Sequence, residues 1–336
     1  MLRWGLLGTS FISETMAAAI ASSDGSVITA VSGRAPDRLA DFAARHGIAK
    51  AYGDQDALLA DPEVDVVYVG LPNTLHHDAV IRAAARGKAV VSEKSLTTTL
   101  AEAAALADAV RAGNIFFMEG LMYLNHPLIS ELGAILRSGR LGPLRAVNGF
   151  YAADIWKLVN PQGGGTLFNL GCYPASLLHY VVQTACGPQA FRQRTSSGFG
   201  NVSTHDGNIC DAVLSVRFAN GVLATLQSTD SYGMAHGFTV FGESGQLRFV
   251  TNPWLPNRQD NVIEILEYGQ GPQEIRISSG YDAFQHQVFV VERCLREGRV
   301  EAPRPSPRLA DSLEIMELLA EWQAHCLAGA GRAAAG

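Results

Sequence analysis

The stretch Leu2-Arg3-Trp4-Gly5-Leu6-Leu7-Gly8-Thr9-Ser10-Phe11-Ile12-Ser13 decides the fold. Leu2 to Leu7 reads as a buried strand, and Gly8 makes a tight turn into a helix near 12–22. Outward from there the alternation continues. Apolar runs at Val27 to Val31, Val64 to Val69, Ala89 to Val91 and Ile115 to Met118 read as further parallel strands, with Ala49 to Tyr52 a short sixth. Helical stretches near 36–46, 54–60, 75–86 and 99–112 lie between them, with stops at Gly25, Gly47, Gly87 and Gly113. Six strands with interleaved helices imply an α/β, doubly wound parallel sheet over residues 1–122, the Rossmann arrangement.

Beyond residue 122 the pattern changes to helix, glycine loop, helix and then a long β-rich region. Candidate strands are 144–153, 189–199, 209–218, 222–231, 237–242, 246–250, 262–268 and 273–278, and Asn220-Gly221 reads as a two-residue hairpin turn. Short turns between consecutive strands predict a large, mostly antiparallel open sheet in an α+β domain over 123–328. Two helices follow. One near 282–297 carries Phe284, Val288, Val291 and Leu295 on one stripe; the next is capped by Ser306 with Pro307 in its first turn. The Gly- and Ala-rich end, 329–336, is expected to be a flexible tail.

Composition narrows the function classes. A net charge of -6 without a run of Lys and Arg leaves nothing to neutralise a phosphate backbone, so no nucleic-acid partner is expected. No stretch approaches the roughly 18 apolar residues of a membrane span, and no secretory signal is visible. The five scattered cysteines form no CxxC pair, which predicts free thiols, a cytoplasmic setting and no metal site.

Gly8 to Ser13 stands where a dinucleotide fingerprint reads GxGxxG or GxGxxA, with Ser10 and Ser13 in the places of small residues. Its position, after a buried strand and opening a helix whose N–H groups can receive a pyrophosphate, marks Gly8, Thr9, Ser10, Phe11 and Ile12 as cofactor-binding residues. The second strand ends in Ser32-Gly33-Arg34, without the acid that would hold an adenosine ribose. Ser32 and Arg34, helped by Arg38, instead suit a 2′-phosphate, so NADP is expected over NAD. The alternative is that Arg34 and Arg38 form a solvated helix start.

Leu71-Pro72-Asn73, with His76 behind it, follows the fourth strand, and Glu93-Lys94 ends the fifth. Strand ends of such a sheet face the ligand crevice, so an ammonium there can stabilise charge on a substrate oxygen during hydride transfer, with Glu93 balancing it. A surface ion pair is the alternative reading. Downstream, Gly163-Gly164-Gly165 leads to Asn169 and Tyr173, a second polar pair. Tyr123, Asn125, Trp156 and Lys157 are candidates for the substrate pocket, with core packing an equal reading for Trp156. His179 reads as a satisfied core residue, and no role is assigned to His205 or His236.

Gly8 to Ser13, Leu71 to His76, Glu93-Lys94 and Gly163 through Tyr173, in this order, resemble the glucose-fructose oxidoreductase, inositol dehydrogenase and rhizopine catabolism family (Gfo/Idh/MocA) over essentially the whole length. Met118 to Tyr123 with His126-Pro127 is most similar to its dihydrodiol dehydrogenase and NADP-dependent aldose dehydrogenase branch. The resemblance implies a catalytic role for Lys94. It matches Asn169 and Tyr173 to an Asp-xxx-His/Tyr element whose second residue is a proposed acid/base, and it implies a homodimer or tetramer through the open sheet. Two departures stand out. Ser95 replaces a proline whose peptide bond is commonly cis in the family; cis is disfavoured for serine, so Lys94 is expected to be aimed differently. Asn169 replaces the usual Asp and cannot titrate.

Taken together, these features predict an NADP-dependent oxidoreductase that moves hydride between nicotinamide and a hydroxyl or carbonyl carbon of a sugar, cyclic polyol or dihydrodiol. The rival reading is a non-catalytic NADP-binding regulator of the same fold.

Overall fold

In the computed structural model the backbone is described for residues 1–333 and side chains for residues 1–328. The chain divides into two units. The first comprises residues 1–122 and 284–313, the second 123–283 and 314–336.

The first unit is built on β1 (Leu2–Leu7), β2 (Ser26–Ser32), β3 (Lys50–Tyr52), β4 (Val66–Val69), β5 (Ala89–Ser92) and β6 (Phe117–Glu119). All are parallel, in the order β3-β2-β1-β4-β5-β6. Between them run α1 (Phe11–Ala21), α2 (Pro36–Arg45), α3 (Gln55–Ala60), α4 (His76–Ala85) and α5 (Leu100–Gly113). Every residue of β4 and β5 is buried, as expected of strands covered by helices on both faces. The order reverses at β1/β4, the switch point at which open α/β sheets bind ligands.

The second unit opens with α6 (Pro127–Ser138) and β7 (Leu144–Ala153), then α7 (Cys172–Cys186). Seven strands follow: β8 (Arg194–Val202), β9 (Ile209–Phe218), β10 (Leu223–Thr229), β11 (Met234–Gly242), β12 (Gly245–Phe249), β13 (Asn261–Glu267) and β14 (Gln273–Ile277). The eight strands lie in the order β14-β13-β12-β11-β7-β10-β9-β8, antiparallel except where β7 meets β10. Burial alternates along β9 and β10: one face is covered and the other is exposed.

Three expectations are corrected. The span 123–328 is interrupted, because α8 (Ala283–Arg296) packs with the first unit: Val288, Val291 and Cys294 join a core with Trp4, Met16, Val31 and Tyr68. An apolar stripe specifies that a helix must be covered, not which sheet covers it. The hairpin at Asn220-Gly221 has three loop residues, since Phe218 N–H bonds the Val222 carbonyl (2.9 Å) and Gly221 takes φ +88°. The region 189–199 becomes a strand only from Arg194. Helix α9 (Leu309–Ala333) runs into the expected tail; the remainder of 329–336 lies outside the described residues.

Candidate functional site

Gly8 has φ +103°, and a Cβ there would lie 2.7 Å from the Gly70 carbonyl oxygen, so glycine is required where the ends of β1 and β4 approach each other. Ser10, the N-cap of α1, turns its hydroxyl to that same carbonyl (3.3 Å) and lies 3.4 Å from the Ser13 hydroxyl. The first N–H groups of α1 are left for an anion. Thr9 is buried, Ile12 partly so, and Phe11 is 75% exposed.

At the end of β2, Ser32 is buried with no hydrogen-bond partner for its hydroxyl among the described residues. Arg34 and Arg38 are exposed, and neither pairs with a carboxylate among the described residues. An orphaned hydroxyl beside two solvent-facing guanidiniums fits a phosphate-bearing ribose and offers no carboxylate for a bare one.

Leu71, Pro72 and Asn73 are half-buried on the loop after β4. His76 is fully buried, its Nδ1 2.9 Å from the Ser95 carbonyl and its Nε2 2.8 Å from that of Leu71. Burial pushes its pKa down, with Lys94 adding to the effect against hydrogen bonds that raise it. His76 therefore lies buried between the backbones of two strand-end loops, where the neutral ring favoured by burial donates its one N–H to a carbonyl. The Lys94–Ser95 peptide bond is cis, where a trans bond was expected before serine.

Lys94 is half-buried; Glu93 beside it is buried. Glu93 Oε1 accepts from the Tyr68 hydroxyl at 2.7 Å, and burial drives its pKa up. Glu119, at the end of β6, is buried with one oxygen lacking a partner; burial, reinforced by Glu93, pushes its pKa up to about 7. Burial thus holds both carboxyls toward their neutral forms around Lys94, unlike a surface ion pair.

In the second unit, Leu167–Gly171 winds as a π-helical turn before α7. Pro174 in the first turn of α7 has no N–H to donate, and the widened turn precedes it. Asn169 and Tyr173 are both buried there, in different surroundings. Tyr173 packs against the rings of Tyr151 (5.4 Å), Tyr123 (5.6 Å) and Trp254 (6.2 Å). Asn169 opens onto a cavity of about 320 Å³ lined also by Trp156, His205, Asp206, Asn208 and Asp230. Its Nδ2 donates to Asp230 Oδ2 at 3.4 Å.

The loop behind β7 is fastened to Asp230, whose carbonyl accepts from the N–H groups of Ile155 (3.0 Å) and Trp156 (2.9 Å). Trp156 stacks on His205 at 4.7 Å with 8° between planes, and Lys157 Nζ lies 5.2 Å from the Trp156 ring centroid. Gly165, at φ +77°, closes the cavity wall; a Cβ there would meet the Ile209 carbonyl oxygen at 2.4 Å. Burial pushes the pKa of Asp230 up to about 6, against the Asn169 hydrogen bond and with the carboxylates of Asp206 and Asp211 acting upward.

Two pocket expectations change. Tyr123 is fully buried, its hydroxyl bonded to Ser176 (2.7 Å) and to the Tyr173 carbonyl (3.1 Å), so it packs the core of the second unit. Asn125 is buried too and does not line the cavity. His179 is a core residue, bound to Glu314 at 2.9 Å. Sequence reasoning missed Asp230 and the stacking role of His205, and no local signal marked either.

The first unit defines a dinucleotide-binding α/β protein. Residues 2–120 match the family model described as "Oxidoreductase family, NAD-binding Rossmann fold", and residues 129–248 match the GFO/IDH/MocA C-terminal domain. An uncharacterized oxidoreductase of Rhizobium meliloti is 33% identical, covering 95% of each chain. The trans-1,2-dihydrobenzene-1,2-diol dehydrogenase of Bos taurus is 28% identical over 93% of this chain and 95% of its own. Among solved structures, a 3-ketoreductase from Actinomadura kijaniata, crystallised with NADP and TDP-benzene, superposes with a TM-score of 0.85 at 22% identity, covering 97% of this chain and 98% of that one. The chain belongs to the Gfo/Idh/MocA oxidoreductase family.

Proposed function

We propose that this enzyme is an NADP-dependent dehydrogenase or reductase of a sugar, cyclic polyol or dihydrodiol. Lys94 carries the reading: a half-buried cation at the carboxyl end of β5, among carboxyls that burial keeps toward neutrality. The turn at Gly8 to Ile12 and the N-terminus of α1 would hold the pyrophosphate, and Ser32, Arg34 and Arg38 the 2′-phosphate. The cofactor, when bound, carries the hydride. Lys94 stabilises charge on the reacting oxygen, Tyr173 exchanges its proton, and Asn169 orients the substrate. Lys157 covers the Trp156 ring from outside the cavity lining.

The open face of the second unit's sheet exposes Phe199, Val213 and Leu223, which supports a homodimer. Light scattering at micromolar concentration should give twice the chain mass; a monomer would contradict the dimer. Five free cysteines suit a reducing, cytoplasmic setting.

A panel of aldoses, ketoses and polyols, followed through the absorbance of reduced nicotinamide, tests the reading. NADP-linked turnover of at least one is expected. Tight NADP binding without turnover on any would overturn it.

A further inference from the structure

The cavity beside Asn169 has a charge pattern that constrains its ligand. Two carboxylates, Asp206 and Asp230, line it; among the described residues no Lys or Arg does so. Lys157 sits over the Trp156 ring outside the lining, and Asp211, from β9, adds a third negative charge acting on Asp230. His205 and Cys210 complete the titratable groups of the wall. Asp230 is only 4% exposed, and its carboxylate takes a long hydrogen bond from Asn169 and a contact from its own backbone N–H among the described residues. Acceptor capacity is therefore left at the cavity, since a carboxylate offers about four lone-pair sites.

The rest of the wall suits the same ligand. Trp156, held between His205 and Lys157 Nζ, presents apolar ring surface at the wall, and Asn169 and Asn208 offer amides. About 320 Å³ falls at the small end of ligand sites, which run about 300–1,000 Å³, large enough for a single sugar or cyclitol ring. A phosphate or carboxylate would enter against like charge with no cation in the wall to receive it.

Resting on the proposed polyol reading, we infer that Asp230 is a specificity-determining residue, accepting hydrogen bonds from vicinal hydroxyls and selecting uncharged rings over their phosphorylated or acidic counterparts. It anchors the loop bearing Trp156 by its backbone and receives the substrate by its side chain, so that part of the wall and the acceptor are held together.

Binding of D-glucose, D-xylose, myo-inositol, D-glucose 6-phosphate and D-gluconate to the NADP-loaded protein tests the inference by calorimetry, alongside KM and kcat where turnover occurs. At least one neutral ring should bind. The two anions should bind at least about 100-fold more weakly than the best neutral ring, and Asp230→Asn should weaken neutral binding about 10- to 100-fold, the value of a hydrogen bond to a charged group. The effect should fall on KM more than on kcat. NADP affinity and melting temperature report folding, because Asp230→Asn preserves shape and all backbone bonds. Asp206→Asn should narrow the gap between D-glucose and its 6-phosphate. Equal binding of neutral and anionic rings, unchanged binding in Asp230→Asn, or no binding of any neutral ring would each overturn the inference. Neutral binding that depends on Asp230 without NADP turnover would sink the enzymatic reading and leave this one standing.

Discussion

The two units treat their buried carboxyls differently. Around Lys94, Glu93 and Glu119 are enclosed: one is bonded to Tyr68, the other keeps an unsatisfied oxygen, and burial holds both toward the neutral form. Asp230 also feels burial, but it borders a cavity whose polar lining can receive a ligand, and its pKa rises only to about 6. Near pH 7 the first arrangement limits the negative charge close to a cation, whereas the second presents an anion to hydroxyl donors. The same penalty of burial thus gives two outcomes: carboxyls held toward neutrality beside Lys94, and a carboxylate at the edge of a cavity in the second unit.

The comparison breaks first at Lys94. Lys94→Met should lower turnover by about 10²–10⁴ while NADP affinity stays within a few fold. Near-normal steady-state turnover would reduce Lys94 to a structural cation. Arg34→Ala should then narrow the preference for NADP over NAD by about tenfold, the worth of one charge-assisted hydrogen bond. Wild-type protein that binds both cofactors equally would remove the phosphate assignment.

Asn169→Asp sharpens the contrast from the other side. A carboxylate placed against Asp230 creates a pair that cannot both ionise freely, so one pKa should climb and the pH profile of kcat/KM should move up by about one unit or more. Superimposable profiles would separate residue 169 from the reacting centre.

The smallest effects concern stability. Both Glu119 and Asp230 have raised folded-state pKa values, so the folded protein binds these protons more tightly than the unfolded chain. That contribution is complete below the unfolded values and is lost as pH rises through the folded ones. Wild type should lose stability through pH of about 7 on account of Glu119 and through about 6 on account of Asp230. Glu119→Gln and Asp230→Asn escape these losses. Their melting temperatures relative to wild type should rise by roughly a few degrees across those windows, with the Asp230 change at the lower pH. A constant difference from pH 4 to 8 would contradict the burial argument.

The first unit was legible because its signal is local: a continuous apolar run, a glycine, a helix, repeated until the sheet is full, with Gly8, Arg34 and Lys94 falling at strand ends by counting. The eight strands of the second sheet were readable by alternation and turns. Helix α8 was assigned to the wrong unit because Val288 and Val291 look the same whichever core they enter. Asp230 was unreadable for a related reason. Its chemistry comes from Asn169 and Trp156, some sixty to seventy-five residues away in the chain, brought to it by a β10 that pairs in parallel with β7. Nothing local marks an acid at a strand end as lining a cavity. Tyr123 misled in the opposite sense, since a phenol near a motif can satisfy its hydroxyl internally, as it does on Ser176.

Hydride transfer itself is the central claim, and isotope transfer tests it most directly. NADPH carrying deuterium at both C4 positions of the nicotinamide is incubated with wild-type protein and each carbonyl compound of the panel, and products are analysed by mass spectrometry. One deuterium should appear on the reduced carbon of at least one sugar or cyclic product, with incorporation falling about 10²–10⁴ in rate for Lys94→Met. Bound NADPH with no label in any product would contradict the account and leave a nucleotide-binding protein without this chemistry.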